Sequence, residues 1–393
     1  MSTKVVVAMS GGVDSSVAAA LLHEQGFEVI GVTLQLWGKD VCTTAGTKLC
    51  CSVRDALDAK AVAKRLGIRH ETLELADTFR THVIDYFVES YHEGLTPNPC
   101  IACNDHIKFG SLLEHADRLG AQLIATGHYA RIVPPASLAS GCASSASRQR
   151  ILWSCGHLFD RALAGRGVGG RFAARRAPGA STERAGWPGA PGSSSPTTNI
   201  ERYQLLRAAT PEKDQSYVLF NLTQEQLSRA RFPIGELTKP QVREMARSLG
   251  LATAEKPDSQ DVCFVRDRNK DGFLRRELKI ADQPGQITTV DGEVLGTHQG
   301  LLGYTIGQRE GIGLAVGKPI YVLAIDQPNN RLVVGERAHL MRRTLIAERV
   351  NWVSIAPPTE LIRAWAKIRS RHEPALVTIT PRLGSELGAL GSG

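Results

Sequence analysis

Residues 4–16, Lys-Val-Val-Val-Ala-Met-Ser-Gly-Gly-Val-Asp-Ser-Ser, constrain the fold of this chain more than any other stretch. Val5, Val6, Val7 and Ala8 make an apolar run of strand length, and Ser10, Gly11 and Gly12 then turn the chain. From Ser15 the apolar residues Val17, Ala20 and Leu21 recur at helical spacing, and Gly26 marks the helix end. A strand, a glycine turn and a helix start together present unpaired backbone N–H groups and the positive end of a helix dipole, which is an anion site. No lysine follows the glycines, so the Walker pattern does not apply. Asp14 stands where it can hold Mg²⁺ between phosphate oxygens, and Ser10 and Ser15 can donate hydroxyls. The competing view, an ordinary glycine turn, does not account for the serines and the aspartate in this order.

The strand–helix alternation continues. Strands fit 4–9, 28–36, 69–75 and 121–126, and helices fit 15–25, 53–66, 77–92 and 105–119. This rhythm predicts an α/β fold with a doubly wound parallel sheet over residues 1–131, and ligands beyond the carboxyl ends of its strands. Strand four runs into Ala125-Thr-Gly-His-Tyr129, where Gly127 is expected to let a nucleotide approach the backbone. Residues 132–200 hold neither period, and a disordered low-complexity insertion is expected there. That segment has eight arginines, no lysine, and only Asp160 and Glu183 as acids. It therefore carries most of the chain's net charge of +8, so bulk charge says little about nucleic acid.

Order is expected to resume over 201–275. There Thr238 is a natural N-cap, and Val242, Met245, Ala246 and Leu249 share one helix face. From residue 276 to 380 glycine-punctuated short strands predict a small β-barrel, and the glycine-rich tail implies that its last strands are missing. No apolar run approaches the roughly 20 residues of a membrane span. The first strand follows the start at once, so a cytoplasmic location is expected.

Eight cysteines, at 42, 50, 51, 100, 103, 142, 155 and 263, point to metal, redox or sulfur chemistry rather than a disulfide scaffold. In Thr96-Pro-Asn-Pro-Cys-Ile-Ala-Cys-Asn-Asp-His-Ile-Lys-Phe109, a helix is expected to begin just after Cys103. Its dipole, with Lys108, would hold that thiol as thiolate and make it a nucleophile. Cys263, in Lys256-Pro-Asp-Ser-Gln-Asp-Val-Cys-Phe264, is the candidate partner. One thiol of such a pair can carry sulfane sulfur as a persulfide while the other cleaves it by exchange.

Five ordered motifs closely resemble the tRNA-specific 2-thiouridylases: S-G-G-V-D-S-S, T-P-N-P-C-x-x-C-N-x-x-I-K-F, A-T-G-H-Y-A-R, K-D-Q-S-Y and D-S-Q-x-x-C-F. The resemblance implies a PP-loop domain of the ATP pyrophosphatase type, a central linker domain and a C-terminal β-barrel. It implies that uridine 34 of tRNA is adenylated on O2 with ATP and Mg²⁺, then converted to 2-thiouridine with release of AMP and pyrophosphate. The sulfur would come from a cysteine desulfurase relay through a carrier protein, and the substrates would be the tRNAs for Lys, Glu and Gln. By the same resemblance Ala8, Met9, Ser10, Gly11, Gly12, Val13, Asp14 and Ser15 hold ATP, with Leu34 and Gly127 around the adenosine. Cys103 and Cys263 are the catalytic pair. Asn98, Pro99 and Cys100 touch the flipped base, and His128, Lys213, Asp214, Gln215, Arg369 and Ser370 match tRNA-contact positions. Cys100 stands where some relatives have aspartate, and Ser370 where they usually have tyrosine. The expected state is a monomer.

Rival readings stay open at this point. An amide-forming ligase on the same loop would need no paired thiols. A metal-binding module could use Cys100 and Cys103 with Cys42, Cys50 or Cys51, although no second C-x-x-C or histidine pair answers them. An impaired remnant could still bind ATP. Cys42, Cys50, Cys51, Cys142 and Cys155 receive no role.

Overall fold

Three consecutive valines set the centre of the fold. In β1 (Lys4–Ala8) Val6 faces one side of a sheet while Val5 and Val7 face the other, and all three are fully buried. The structure, a computed structural model, describes residues 2–37, 53–136, 202–258, 262–265, 269–279, 281, 283–370 and 372–381.

β1, β2 (Glu28–Gln35), β3 (Arg69–Glu74) and β4 (Leu123–Ala125) are parallel in the order β3-β2-β1-β4, with Val5 opposite Val29 and Leu123. An antiparallel hairpin follows, β5 (Ala130–Val133) with β6 (Gln204–Arg207), and the short β7 (Ala230–Arg231) then adds to β4. The hairpin carries the ordered fold past the expected boundary at 131. The insertion read at 132–200 otherwise lies outside the described residues from 137 onward.

α1 (Val13–Glu24) and α2 (Val53–Leu66) cover the Val5/Val7 face. The Val6 face takes α3 (Ala76–Phe79), α4 (Tyr86–His92), α5 (Pro99–Ala102) and α6 (Leu112–Arg118). The helices expected over 77–92 and 105–119 contain wide π-helical turns, at Arg80–Asp85 and Cys103–Ser111. Such turns recur at functional sites. α7 (Gln224–Arg229) and α8 (Lys239–Ser248) both open with a capping box, from Thr223 with Gln226 and from Thr238 with Gln241. α8 buries Val242 and Ala246 in the same core as α1 and α2.

α9 (Lys270–Leu278) leads to β8 (Gly285–Thr288), β9 (Val294–His298), β10 (Tyr321–Asp326) and β11 (Arg331–Gly335). These form a sheet in the order β10-β11-β8-β9 around Ile287, Ile320, Val322, Leu332 and Val334. The chain then returns to the first sheet's domain. Asn351 Nδ2 donates to the carbonyls of Phe220 and Leu222 at 2.7 and 3.1 Å, and Leu205 N donates to Ser354 Oγ at 3.0 Å. Residues 1–133 and 203–354 therefore form one unit. A second unit holds an antiparallel hairpin of β12 (Ile362–Ala366) and β13 (Ala375–Ile379). The stretch 276–380 is thus divided between two units, where one small barrel was expected.

Connections leave β1 toward β2 on one side while β4 lies on the other. The crevice beyond the carboxyl ends of β1 and β4 is therefore the topological switch point, where open α/β sheets bind ligands.

Candidate active site

Two loops line that crevice. The first, Met9–Gly12, ends β1 and opens α1. Gly11 sits at φ +68°, and a Cβ there would collide with the backbone of Asp55 in the first turn of α2. Only glycine meets both demands. Gly12 is the N-cap of α1 without a side-chain cap, which leaves its first N–H groups for a ligand. Ser10 N donates to Ser15 Oγ at 3.2 Å, and the two hydroxyls lie 3.3 Å apart. The Thr33 hydroxyl donates to the Met9 carbonyl at 2.9 Å and fixes the strand end.

The second loop, Thr126–His128, ends β4. A Cβ on Gly127 would stand 2.7 Å from Ser15 N and 2.8 Å from Asp14 C. What glycine permits here is the approach of β4 to the start of α1, an intramolecular reason where close contact with a nucleotide was expected. Leu34 is buried at the end of β2, opposite Leu73.

The cations that the loop lacks arrive from remote sequence. Lys239 Nζ, from the first turn of α8, lies 2.8 Å from both Asp14 oxygens and 2.8 Å from Asp258 Oδ1. Asp258 also takes Lys213 at 2.8 Å and Arg243 at 3.0 Å. Burial alone would raise its carboxyl pKa, but hydrogen bonds from Lys213 and Lys239 hold it at about 2. Tyr129 donates its hydroxyl to Asp14 Oδ1 at 2.8 Å, and burial together with Asp14 raises the phenol well above its ordinary range. Lys256 Nζ contacts Gly11 O at 2.9 Å, Asp55 at 2.6 Å and Asp58 at 2.5 Å. Burial opposes its charge, yet the two carboxylates raise its pKa and keep it an ammonium. Lys256 thus reaches the turn itself and Lys239 reaches Asp14, while Lys213 and Arg243 join Lys239 on Asp258; of these four cations sequence reasoning named only Lys213. Lys256 and Asp258 stood in a quoted motif, but nothing local tells which loop they reach.

The helix bearing Cys103 begins a turn earlier than expected. Asn98 is its N-cap, accepting from Cys100 N at 3.1 Å, and Pro99 occupies the first helical position. Asparagine followed by proline is a start signal, and it lay open in the sequence. Cys103 is therefore not at a free helix N-terminus. Its amide already bonds back to Pro99 O, so the dipole argument for a thiolate fails. Burial pushes the Cys103 thiol up, Lys108 pulls it down less strongly, and neighbouring Cys100 adds to the rise. The resting form is a thiol. Alkylation of Cys103 followed peptide by peptide should accordingly show a pH midpoint above the ordinary cysteine value of about 8.5. A midpoint at or below that value would mean that the thiolate is stabilised after all.

Cys103 and Cys263 pack at the border of one core, the cluster under the Val6 face. Phe264, beside Cys263, packs edge-on against Phe79 and Phe87 and tilted against Phe273, with centroids 5.9, 5.1 and 5.4 Å away. Cys100, one turn before Cys103, is exposed.

His128, matched by resemblance to an RNA contact, is buried in this structure. Burial and then Lys108 lower its pKa well below the usual value, so the ring is neutral. An ammonium can only donate, so Nε2 accepts from Lys108 Nζ at 3.4 Å and Nδ1–H donates to Thr126 Oγ1 at 2.7 Å. The histidine thereby holds Lys108, the cation that faces Cys103.

Asp214 and Gln215, also matched to RNA contacts, are committed internally. Asp214 accepts from Ala208 N, Arg207 and Ser216 at 3.0–3.2 Å. Gln215 Oε1 accepts from Tyr129 N at 2.9 Å, and Gln215 N donates to Tyr129 O at 2.8 Å. Their evident task is to seat Tyr129 beside Asp14 and Lys213 beside Asp258. Arg369 and Ser370 lie exposed just past β12 in the second unit.

Among the described residues no three histidine, cysteine or carboxylate side chains gather as a metal site. Cys42, Cys50, Cys51, Cys142 and Cys155 lie outside the described residues. Among the described residues no helix is long and apolar enough to cross a membrane.

Two family models together match about three-quarters of the chain. The model described as "tRNA methyl transferase HUP domain" matches residues 3–150 and 193–267, and that of the "tRNA methyl transferase PRC-barrel domain" matches 271–336. The "tRNA-specific 2-thiouridylase MnmA" of Heliobacterium modesticaldum is 43% identical over 384 residues, 97% of this chain and 83% of its own. The proteins of that name from Clostridioides difficile and Solibacter usitatus are 39% and 40% identical over 380 and 383 residues. These alignments cover 96% and 94% of this chain, and 88% and 86% of theirs. Identity at this level, sustained from the glycine turn through the second sheet, places the chain in the family of tRNA-specific 2-thiouridylases.

Proposed function

We propose that the protein performs ATP-dependent 2-thiolation of uridine 34 in the tRNAs for Lys, Glu and Gln. The observation that carries this reading is the shared setting of the two activities: a phosphate-binding turn ringed by cations, and two thiols on one core, joined by the segment from Lys256 to Cys263. Cys263 follows Asp258 by five residues, a reach of at most about 18 Å of extended chain. The family description speaks of methyl transfer, but that chemistry needs neither a pyrophosphate turn nor a thiol pair.

The uracil O2 is a poor leaving group, so displacement by sulfur needs activation. Free N–H groups at the start of α1, with Ser10 and Ser15, bind the departing pyrophosphate, and Lys239, Lys213 and Arg243 balance its charge. Asp14 is the one carboxylate on the loop that would hold Mg²⁺, and the ion would neutralise phosphate charge there. A single protein carboxylate with phosphate oxygens is how this ion is commonly held, so the residues fit it.

Cys263 carries the sulfane sulfur, which attacks C2 as AMP leaves. Cys103 then attacks the Cys263 sulfur, and the pair closes a disulfide as 2-thiouridine departs. The sulfane sulfur gains two electrons and the two thiols supply them, so an external thiol must reset the enzyme. Cys103 has to lose its proton for this step, with Lys108, oriented by His128, favouring the anion. Reaction at C2 requires the base to leave the anticodon stack. Exposed Cys100, with the half-buried N-cap Asn98 beside it, stands at the start of the cysteine-bearing helix to meet it, whereas Pro99 is buried beneath them. A carrier protein handing over persulfide sulfur, a monomeric state and a cytoplasmic setting complete the proposal.

Expression in a strain lacking wobble 2-thiouridine tests it. The three tRNAs should regain retardation in mercury-containing gels, and unretarded tRNA despite expressed, folded protein would refute the assignment.

A further inference from the structure

We infer that Asp258 is an internal stand-in for phosphate, a carboxylate that occupies the cations of the nucleotide site and must be displaced when the triphosphate binds. The inference rests on reading the Ser10–Ser15 turn as the pyrophosphate site.

Donor accounting supports it. An ammonium has three protons, and Lys239 Nζ already faces three oxygens at 2.8 Å: Asp14 Oδ1, Asp14 Oδ2 and Asp258 Oδ1. No donor of Lys239 remains for a phosphate until one carboxylate lets go. Asp14 is tied to the loop by Tyr129 as well, at 2.8 Å, and belongs to the helix that forms the anion site. Asp258 is the removable member, since it comes from a remote loop and meets Lys213, Lys239 and Arg243 in the manner of a bound anion. It remains charged far into acid, so protonation does not release it. A polyphosphate presents several charges to the same three cations and outcompetes one carboxylate.

The position of Asp258 gives the exchange a consequence. Lys256 pins the same segment to Gly11 O, Asp55 and Asp58, and Cys263 lies five residues beyond Asp258. Loss of the Asp258 contacts leaves Lys256 anchored on the glycine turn, and beyond Asp258 the next described anchors are Val262, Cys263 and Phe264, which pack on the core under the Val6 face. Occupancy of the nucleotide site is therefore reported to the sulfur-bearing cysteine.

The test measures ATP and pyrophosphate affinity by calorimetry, and Cys263 alkylation by mass spectrometry, in the full-length protein. Asp258→Asn should bind both ligands about tenfold more tightly, the scale of one charged hydrogen bond, and Asp258→Glu should bind near the wild-type level. In the wild type, adding ATP should raise the Cys263 alkylation rate several-fold, and this measurement needs no variant. Unchanged or weaker ATP binding by Asp258→Asn overturns the inference. So does tighter binding without any effect of ATP on wild-type Cys263, which would mean simple charge repulsion rather than displacement. A wild-type protein that binds neither ATP nor pyrophosphate would bring down the site assignment itself, an outcome distinct from both.

Discussion

Serine at position 263 or at position 103 is expected to end 2-thiouridine formation, with a loss of about 10³-fold or more in rate. A hydroxyl in place of Cys263 cannot carry sulfane sulfur. A hydroxyl in place of Cys103 cannot attack a sulfur to close the disulfide that supplies two electrons. Because the pair acts as one device, Cys103→Ser combined with Cys263→Ser should be no worse than either alone. Adenylation does not use the thiols, so both single variants should still release pyrophosphate from ATP in the presence of substrate tRNA. Wild-type protein turned over without reductant should yield a peptide pair cross-linked through positions 103 and 263. Near-normal thiolation by either serine variant would remove the central chemical claim, whatever became of the ATP site.

Alanine at Gly11 should damage the protein itself. Its φ of +68° costs an L residue about 1 kcal/mol or more, and the added methyl would run into the Asp55 backbone, which belongs to a buried helix start. Relief requires α2 to move away from the turn, which also breaks the Lys256 contacts with Gly11 O and Asp55. We expect a loss of roughly 3 kcal/mol, or about 5 °C in Tm for a unit of this size, together with loss of detectable ATP binding. A melting temperature within about 2 °C of wild type, with ATP affinity intact, would show that the turn tolerates a side chain and that its glycine has no steric cause.

The sheet was legible because its signals are local. The Val5–Val7 run before the glycine turn places β1, the helix-ending glycines Gly26, Gly67 and Gly120 mark where β2, β3 and β4 can start, and Thr238 announces α8 through its capping box. The site was legible only where chemistry and local structure coincide, in the glycine turn and in the cysteine motifs. The start of α5 could have been read from Asn98-Pro99, an N-cap followed by proline at the first helical position, instead of being placed just after Cys103. Lys239, Arg243 and Lys256 were not legible, since their partners are more than 180 residues away or sit on a different loop. The burial of His128 was not legible for a related reason. That residue was matched to an RNA contact by resemblance alone, and the packing of Phe109 and Phe232 around it has no signal in the local sequence.

The hairpin of β5 and β6 bears on how this enzyme tolerates extra sequence. Val133 pairs with Gln204, so whatever joins them leaves and re-enters the domain across a single ladder rung. The family match passes over residues 151–192, within that connection. Closing a longer tether on endpoints that are already fastened costs only about 0.6 kcal/mol per doubling of its length. The rung therefore makes this a permissive graft point, where foreign segments can accumulate or be spliced in without disturbing the register beneath.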